Sequence, residues 1–345
     1  MSEQQGIEYR PFTRADEDQI VDLLTVSMKV QDFPDLRGFW QWKHYENPFG
    51  ESPGMVAIGD GKVVGLRVFL RWEWQAGNRV YRAGRAIDTA THPQWGRRGI
   101  FETLTTSMLQ QVSEEGMHFI FNTPNQYSMP GYLKMGWVLV GRLPLLVKVR
   151  RPIRFVRAAA GGGGLGGATE IKTEADNTAV LELLKDSAVR AVVDAADAPD
   201  GAEANRPARL HTRKSAAYLE WRYGRNRWYQ YKAGFDSHGS SGALVICRSS
   251  RRGSMNELLV TDVITLPDAG SSRLASKIIG RLAREASADY VALSGLDAVL
   301  GVGSGFLPVG QRGPNMTVRL LGQQLTEDVT QFGDWAATFG DLELF

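Results

Sequence analysis

The sequence predicts an α/β fold made of two tandem domains, and three observations support this. The chain has 345 residues, which is long for one typical domain and sufficient for two. The hydrophobic period of residues 85–123 changes from strand to helix and back to strand. Several short patterns from the first half of the chain return in the same order in the second half. We therefore expect two copies of one α/β fold.

Composition narrows the class of protein. The 40 Lys and Arg nearly balance the 38 Asp and Glu, so bulk charge does not indicate a nucleic-acid partner. No apolar run reaches membrane-spanning length, and the polar N-terminus lacks the apolar stretch of a signal peptide. The single cysteine, Cys247, lies in an apolar strand-like run. We expect a cytoplasmic protein, monomer or homodimer, with no nucleic-acid, membrane or metal partner and with Cys247 in the core.

The first elements follow from local patterns. Residues 6–12 predict a strand, and Thr13 is a plausible N-cap for the helix that follows. The helix is expected to bury one apolar side, which consists of Ile20, Leu23, Leu24 and Met28.

A basic glycine loop follows the strand that ends at Thr91. Residues 96–99 read Gly-Arg-Arg-Gly, and the helix after them has a buried stripe at helical spacing. Backbone N–H groups at a helix start, close to glycine and arginine, form a site for phosphate oxygens. Neither a P-loop nor a Gly-x-Gly-x-x-Gly pattern is present, which disfavours ordinary nucleotide and dinucleotide folds.

A second motif follows the buried strand predicted over residues 118–123. Asn125, Ser128, Tyr132 and Gly136 recur at fixed spacing, and Trp137 supplies an aromatic residue directly after the glycine. The two motifs are about thirty residues apart and stand in a fixed order, which makes the pair much more specific than either one.

Together the two motifs resemble the GNAT superfamily of acyl-CoA-dependent N-acyltransferases. The family's loop reads Arg/Gln-x-x-Gly-x-Gly/Ala and falls on residues 96–101, where Gly99 matches while Gly96 and Phe101 depart. The family's Asn-x-x-Ser/Ala-x-x-x-Tyr-x-x-x-Gly-aromatic pattern is matched over residues 125–137. The resemblance implies an α/β (α+β) fold of two GNAT-like domains, each a central mixed, twisted sheet flanked by helices, with acetyl-CoA or another acyl-CoA as cofactor.

The resemblance also implies site residues. The fourth and fifth strands are expected to splay apart around the pantetheine arm, with Tyr132 as the general acid for the departing thiolate. The residues expected to contact the cofactor, through backbone or side chain, are Thr89, Ala90, Thr91, Arg97, Arg98, Gly99, Ile100, Phe101 and Asn125.

The base that deprotonates the amine is left open. Asp88 is one candidate, since a carboxylate inside an apolar strand invites a raised pKa. Several family members carry an acidic base three positions earlier, where this chain has Arg85. Asp88 also recurs as Asp262 in the second half, which suggests a structural or substrate-orienting carboxylate instead. His92, beside a proline, is a weaker candidate for the base, and a water chain is a further one.

The repeat sets the predicted domain boundaries. The pattern of residues 13–24 returns at 173–184, 42–47 at 221–226, 87–93 at 261–267, and 136–141 at 305–310. The predicted domains are a catalytic domain over 1–155, a Gly-rich linker over 156–168 and a second domain over 169–345.

The second copy is expected to be degenerate and to shape the acceptor site. Residues 269–274 lack the basic pair, and the positions of Tyr132 and Asn125 are taken by Gly301 and Ser294.

The acceptor is predicted from aromatic and polar side chains. Trp and Tyr beside Lys and Asn suit a sugar ring, although a packing cluster explains the same pattern. The candidate residues, including the second copy's counterparts, are Trp42, Lys43, Tyr45, Trp221 and Arg222. Residues 333–341 resemble the ending of tandem-domain acyltransferases of amino sugars. We expect a small-molecule primary amine, favouring an amino sugar or natural-product amine. An amino acid or a protein lysine is the alternative, and a non-catalytic acyl-CoA-binding module is the rival class.

Overall fold

The computed structural model describes residues 6–28, 33–160, 175–197, 209–294, 304–309 and 313–342. Backbone contacts divide the chain into two compact units, and each is discontinuous in sequence. The first unit comprises Met1–Trp74, Arg79–Gly141 and Asn315–Phe332. The second comprises Gln75–Asn78, Arg142–Pro314 and Gly333–Phe345.

The helices and strands alternate along the chain as expected for an α/β protein. Up to residue 142 they are β1 (Glu8–Pro11), α1 (Glu17–Met28), α2 (Leu36–His44), β2 (Gly54–Gly59), β3 (Lys62–Ala76), β4 (Arg79–Thr91), α3 (Ile100–Glu114), β5 (Phe119–Asn122), α4 (Met129–Lys134) and β6 (Val138–Arg142). They continue with β7 (Leu145–Val149), α5 (Pro152–Ala160), α6 (Thr178–Lys185), α7 (Ser187–Asp197), β8 (His211–Thr212), α8 (Ala216–Leu219), β9 (Tyr231–His238) and β10 (Ser241–Arg252). The last are β11 (Met255–Thr265), α9 (Ala269–Glu285), β12 (Tyr290–Ser294), β13 (Leu307–Pro308), β14 (Asn315–Leu320) and α10 (Phe339–Leu342).

The first unit is built on a mixed sheet in the strand order β1-β2-β3-β4-β5-β14-β6. The β4–β5 pair is parallel, whereas β1–β2, β2–β3 and β5–β14 are antiparallel. Strand β14 comes from the C-terminal part of the chain and lies between β5 and β6. The mixed sheet flanked by helices confirms the predicted fold class.

Both faces of this sheet are covered because the helices are amphipathic. The stripe predicted for α3 is buried at Leu104, Met108 and Val112, against residues of β2, β3 and β4. The opposite face packs against the predicted apolar side of α1 and against Trp40. Met28 was expected on that buried side, but it is exposed because it is the last residue of α1.

The second unit repeats the same arrangement of strands. Its sheet has the order β13-β7-β12-β11-β10-β9, with β11 parallel to β12 and the other described pairs antiparallel. Helix α9 connects β11 to β12, as α3 connects β4 to β5. Cys247 is buried in the core, which confirms its predicted place, and burial raises its thiol pKa to about 12.

The compact units do not follow the predicted boundaries. Strand β7 pairs with β12 of the second unit, and β14 pairs with β5 of the first. Helix α5 runs to Ala160, so the start of the predicted linker is helical, in keeping with the helix propensity of alanine. The rest of the linker lies outside the described residues. The functional roles assigned to the two domains stay predictions.

The basic run of residues 148–157 makes contacts within the second unit. Arg151 and Arg154 lie 3.4 and 2.9 Å from the buried carboxylate of Asp289. The Lys148 ammonium donates to the backbone oxygen of Ser304 at 2.6 Å. In the described ranges, no helix combines the length and the apolarity that crossing a bilayer requires.

We expect Gly65→Ala to destabilise the protein by about 1–3 kcal/mol, because the added methyl overpacks a filled core. A Cβ at Gly65 would lie 2.5 Å from Cγ2 of Ile100 and 3.1 Å from Cδ1 of Leu104. The control is Gly280→Ala in α9, where the new Cβ meets no atom within 4 Å. That substitution should stabilise by up to about 1 kcal/mol, since alanine favours helix over glycine. Urea unfolding followed by circular dichroism measures both, and a Gly65→Ala protein as stable as wild type would contradict the close packing of α3 on β3.

Candidate active site

The site lies in the first unit, where strands β4 and β5 part. The two strands pair from Ala83, opposite Phe119, to Arg85, opposite Phe121. No further β4–β5 pair is found among the described residues. Three residues later, Asp88 has a backbone φ of +45°. A non-glycine residue in this left-handed region interrupts the regular strand and costs about 1–3 kcal/mol. The end of the pairing and this distorted residue favour the splaying that the family resemblance implied.

The carboxylate of Asp88 is held by two residues of α2. The Lys43 ammonium forms a short ionic hydrogen bond to Oδ2, and the Nε2 atom of His44 lies 2.8 Å from the same oxygen. On its other side, Nδ1 of His44 lies 2.9 Å from the Ser52 hydroxyl. Since an ionised carboxylate only accepts, Nε2 carries the imidazole proton and Nδ1 accepts from Ser52. The cluster ties β4 to α2 at the distorted position.

The charges of this cluster make Asp88 a weak base. Burial alone would raise the pKa of Asp88, but the Lys43 charge and the His44 hydrogen bond outweigh it and hold that pKa well below its usual range. Desolvation lowers the pKa of the wholly buried His44, so the imidazole is neutral. The expected raised pKa of Asp88 is therefore wrong. Its lowered pKa favours the structural alternative.

Tyr132 projects from α4 into the core beside this opening. Its side chain is only 5% exposed, and its hydroxyl accepts a hydrogen bond from Nη1 of Arg67 at 2.8 Å. The ring packs edge-on against Phe101 and Trp137, with centroid distances of 5.9 and 5.1 Å. The same Arg67 nitrogen donates a short hydrogen bond to Oγ1 of Thr89. Arg67 thus connects the predicted general acid to β4.

Sequence reasoning missed Arg67. It lies in Val-Val-Gly-Leu-Arg-Val-Phe, an apolar run of β3, and it is wholly buried. A charged residue inside such a run is the only signal that could have drawn attention to it.

The basic loop leads into an uncapped helix. Arg97 and Gly99 have φ values of +61° and +77°, and α3 begins at the next residue. Gly99, the residue before the helix, has no side chain that could cap it, and Glu102 is the acidic residue of the first turn. Arg98 lies over the ring of Trp95 at 4.5 Å, and the loop is exposed. Exposed guanidinium groups beside an uncapped helix start fit a pyrophosphate.

The remaining residues predicted to contact the cofactor differ in which of their groups a ligand could reach. The side chains of Ala90 and Ile100 are buried in the core, so only their backbone groups could meet a ligand. The carbonyl of Thr91 accepts from Ser27 at 3.2 Å. Asn125 is exposed, and its Oδ1 accepts from the next turn's N–H groups, including that of Ser128 at 3.0 Å. It therefore shapes the turn before α4, and its predicted contact with the cofactor stays a prediction.

Most of the predicted acceptor residues are buried. Trp42 is 2% exposed and stacks on Phe39, while Lys43 is engaged with Asp88. In the second unit, Trp221 and Arg222 are equally buried. These four side chains have almost no exposed surface, which favours the packing alternative for them. Tyr45 is half-buried, accepts from the indole of Trp40 at 3.0 Å, and stays a candidate.

Equivalent positions of the two units make equivalent contacts. The sequence repeat pairs His44 with Tyr223 and Asp88 with Asp262. In the second unit, the Tyr223 hydroxyl donates a short hydrogen bond to Oδ2 of Asp262. Lys214 pairs with the other carboxylate oxygen at 2.6 Å. Both copies therefore hold a buried aspartate of the corresponding strand by a residue from the preceding helical segment.

The second unit differs at the helix start. The carboxylate of Asp268 caps α9 by accepting from the N–H of Ser271 at 2.8 Å. Hydrogen bonds from Ser271 and Ser241 lower the pKa of Asp268 to about 2. An internal anion thus occupies the place that an external phosphate would need. Ser294 donates to the backbone oxygen of Pro144, and the predicted Tyr132 counterpart, Gly301, lies outside the described residues.

Part of the chain matches a known protein family. Residues 8–140 match the family profile described as acetyltransferase (GNAT) domain. A search of curated protein sequences found no match.

Three solved structures are similar over 92% of this chain. A GCN5-related N-acetyltransferase from Anabaena variabilis has 14% identity, a TM-score of 0.59 and 73% of its own length covered. A conserved protein of unknown function from Enterococcus faecalis, described as a probable N-acyltransferase, has 10% identity, a TM-score of 0.56 and 73% covered. Eis1 from Mycobacterium abscessus has 12% identity, a TM-score of 0.55 and 74% covered. At these identities the likeness establishes the fold alone.

Breaking the buried ion pair should be costly. We expect Lys43→Met to destabilise the protein by about 3–5 kcal/mol, because it leaves the Asp88 carboxylate buried beside neutral partners. Adding Asp88→Asn should restore most of this loss, since no unpaired charge remains. Lys62→Met, at the exposed start of β3, is the matched control. Urea unfolding measures all four proteins, and a Lys43→Met protein as stable as the control would contradict the ion pair.

The pH dependence of stability should follow the lowered pKa of Asp88. A carboxyl whose pKa is lower in the folded state stabilises the fold above its unfolded pKa of about 3.9 and loses that contribution as the pH falls further. We expect the free energy of unfolding to fall less steeply below about pH 4 in Asp88→Asn than in wild type. Equal slopes would mean that Asp88 is not held as an ionised group.

Proposed function

Because residues 8–140 form a domain of the GNAT superfamily, we propose that the protein is an acyl-CoA-dependent N-acyltransferase that acts on a small primary amine. The observation that carries the proposal is the buried hydroxyl of Tyr132. It lies beside the opening between β4 and β5 and is hydrogen-bonded by a guanidinium. A phenol in such a position is suited to give a proton to a leaving thiolate.

Residues of the first unit are also suited to bind the pyrophosphate, the pantetheine arm and the acyl oxygen of the substrate. Acyl-CoA supplies the thioester whose acyl group is transferred. Arg97, Arg98 and the first N–H groups of α3 are the donors we assign to its pyrophosphate. The backbone of residues 88–91, which the described β5 does not pair, is assigned to the pantetheine arm and to the acyl oxygen. Asp88 holds this segment of β4 in place and is not proposed as the base.

The acceptor is proposed as a small amine, with amino sugars first among the classes to test. The support is the resemblance of residues 333–341 to tandem-domain acyltransferases of amino sugars. Trp335 and Asp341 of this segment are buried, so they support the fold and would not contact a ligand directly. Amino acids and lysine peptides are the comparison classes.

Replacement of Tyr132 tests the proposed chemistry. We expect Tyr132→Phe to lower kcat by about 10- to 1000-fold, because the thiolate would leave without a proton donor. Affinity for acyl-CoA should be unchanged. Tyr127→Phe is the matched control, since Tyr127 is 84% exposed and outside the motif. Thiol release at saturating acyl-CoA and amine measures both; unchanged turnover in Tyr132→Phe would remove Tyr132 from the mechanism.

Replacement of the basic pair tests cofactor binding. Acyl-CoA at 100 times its Kd should stabilise the wild-type protein by about 2.7 kcal/mol, which appears as a rise in Tm. We expect the Arg97→Ala, Arg98→Ala double variant to lose most of this rise. Arg273→Ala, near the start of α9, is the control because Asp268 already caps that helix. No rise in the wild-type Tm with thioesters of any chain length would contradict the acyltransferase proposal, and a rise without thiol release would favour the non-catalytic module.

A further inference from the structure

We propose that Arg67 is a positioning residue that directs the phenolic proton of Tyr132 towards the leaving sulfur and stabilises the phenolate that remains. The inference deepens the proposed function and rests on it. It assigns a role to a residue outside the sequence motifs, and it depends on the placement, charge and hydrogen bonds of Arg67.

The placement of Arg67 is fixed from several sides. It is wholly buried on β3, and its Nη1 donates to both Tyr132 and Thr89. The guanidinium carbon lies 4.8, 5.6 and 5.3 Å from the ring centroids of Phe69, Phe101 and Tyr132. Aromatic rings attract a guanidinium over their faces and exclude water from it. The side chain therefore has little freedom to turn away from the phenol.

The charge of Arg67 is not neutralised locally. A guanidinium stays protonated in proteins, and the described residues place no carboxylate oxygen within ion-pair distance of it. Its Nε and Nη2 atoms are buried without a hydrogen-bond partner in that same part of the chain. A buried cation without a counter-ion strongly favours an anion beside it. The nearest group that can become an anion during acyl transfer is the Tyr132 phenol, with its oxygen 2.8 Å from Nη1.

The hydrogen bond also sets the direction of the Tyr132 proton. Arginine has donors but no acceptor, so the phenol oxygen accepts from Nη1 and cannot donate to it. Phe101 and Trp137 flank the ring with apolar edges. The hydroxyl proton is therefore available to a group that enters the opening beside β4.

Acyl transfer at this site would move the phenolic proton of Tyr132 to the leaving sulfur. The amine nitrogen forms a bond to the acyl carbon, the carbon–sulfur bond breaks, and its electron pair goes to sulfur. Sulfur takes the Tyr132 proton, which leaves a phenolate beside the Arg67 guanidinium. The proton lost by the amine nitrogen passes to water, and the phenolate regains a proton from water. The guanidinium lowers the free energy of the state in which the phenol carries the negative charge.

A double-mutant cycle tests this role. We expect Arg67→Met to lower kcat by about 10- to 100-fold, the value of a hydrogen bond to a charged donor, with little change in KM for acyl-CoA. In the Tyr132→Phe background the same substitution should have almost no further effect. Arg71→Met is the control, since Arg71 lies on the same strand but pairs with Glu115. Equal losses in both backgrounds would overturn the proposal, because a merely structural Arg67 would act without Tyr132.

A second measurement does not depend on turnover. In protein labelled with ¹³C at tyrosine Cζ, the Tyr132 resonance is identified by its loss in Tyr132→Phe. We expect this resonance to move in Arg67→Met and to stay in place in Arg71→Met, because only the first removes the hydrogen bond to the phenol. Wild-type protein without transferase activity would count against the proposed function, whereas an unmoved resonance would count against the role of Arg67.

If Arg67→Met does not fold, Arg67→Lys provides the variant for the cycle. Lysine keeps the charge, but its ammonium lies on a flexible stem and lacks the rigid plane that fixes Nη1 between Tyr132 and Thr89. It should retain part of the lost turnover. Full wild-type turnover in Arg67→Lys would show that a positive charge alone suffices and would overturn the positioning role of the guanidinium.

Discussion

The left-handed backbone of Asp88 is the constraint on which the site depends. It interrupts β4 just beyond the last residue paired with β5, so the two parallel strands can part. An aspartate keeps this conformation only if its surroundings stabilise it, and here Lys43 and His44 hold its side chain from α2. The carboxylate that seemed suited to take a proton from the amine is instead an anchor. At the next residue of β4, Thr89 shares the buried Arg67 with Tyr132.

The two units differ in the residue that precedes the helix after the corresponding strand. Both place a long helix after the corresponding strand of a mixed sheet. In the first, the glycine before α3 leaves the helix start open and arginines stand beside it. In the second, Asp268 satisfies the same N–H groups from within the chain. The buried aspartate of the strand is retained in both units, which indicates that it serves the fold of each copy more than the reaction of one.

Local patterns allowed much of this arrangement to be predicted, and non-local contacts limited the rest. The strand, loop and helix of residues 85–112 follow from periodicity and glycine placement, because the causes lie within a few residues. The sign of the Asp88 pKa shift depends on Lys43, which is 45 positions away. The sequence alone could not distinguish Arg67 from other arginines in strands, because its proposed role depends on a contact with Tyr132, which is 65 positions away. The burial of Trp42 and Trp221 has the same origin.

The position of β14 has a consequence for how the protein is made. Val318 pairs with Phe121, so the first sheet stays incomplete until the strands of the second sheet have also been translated. Contacts between such distant residues slow folding, and the unpaired edges of β5 and β6 are exposed meanwhile to other chains. A gene shortened to the first GNAT-like region would encode these edges without the strand that covers them.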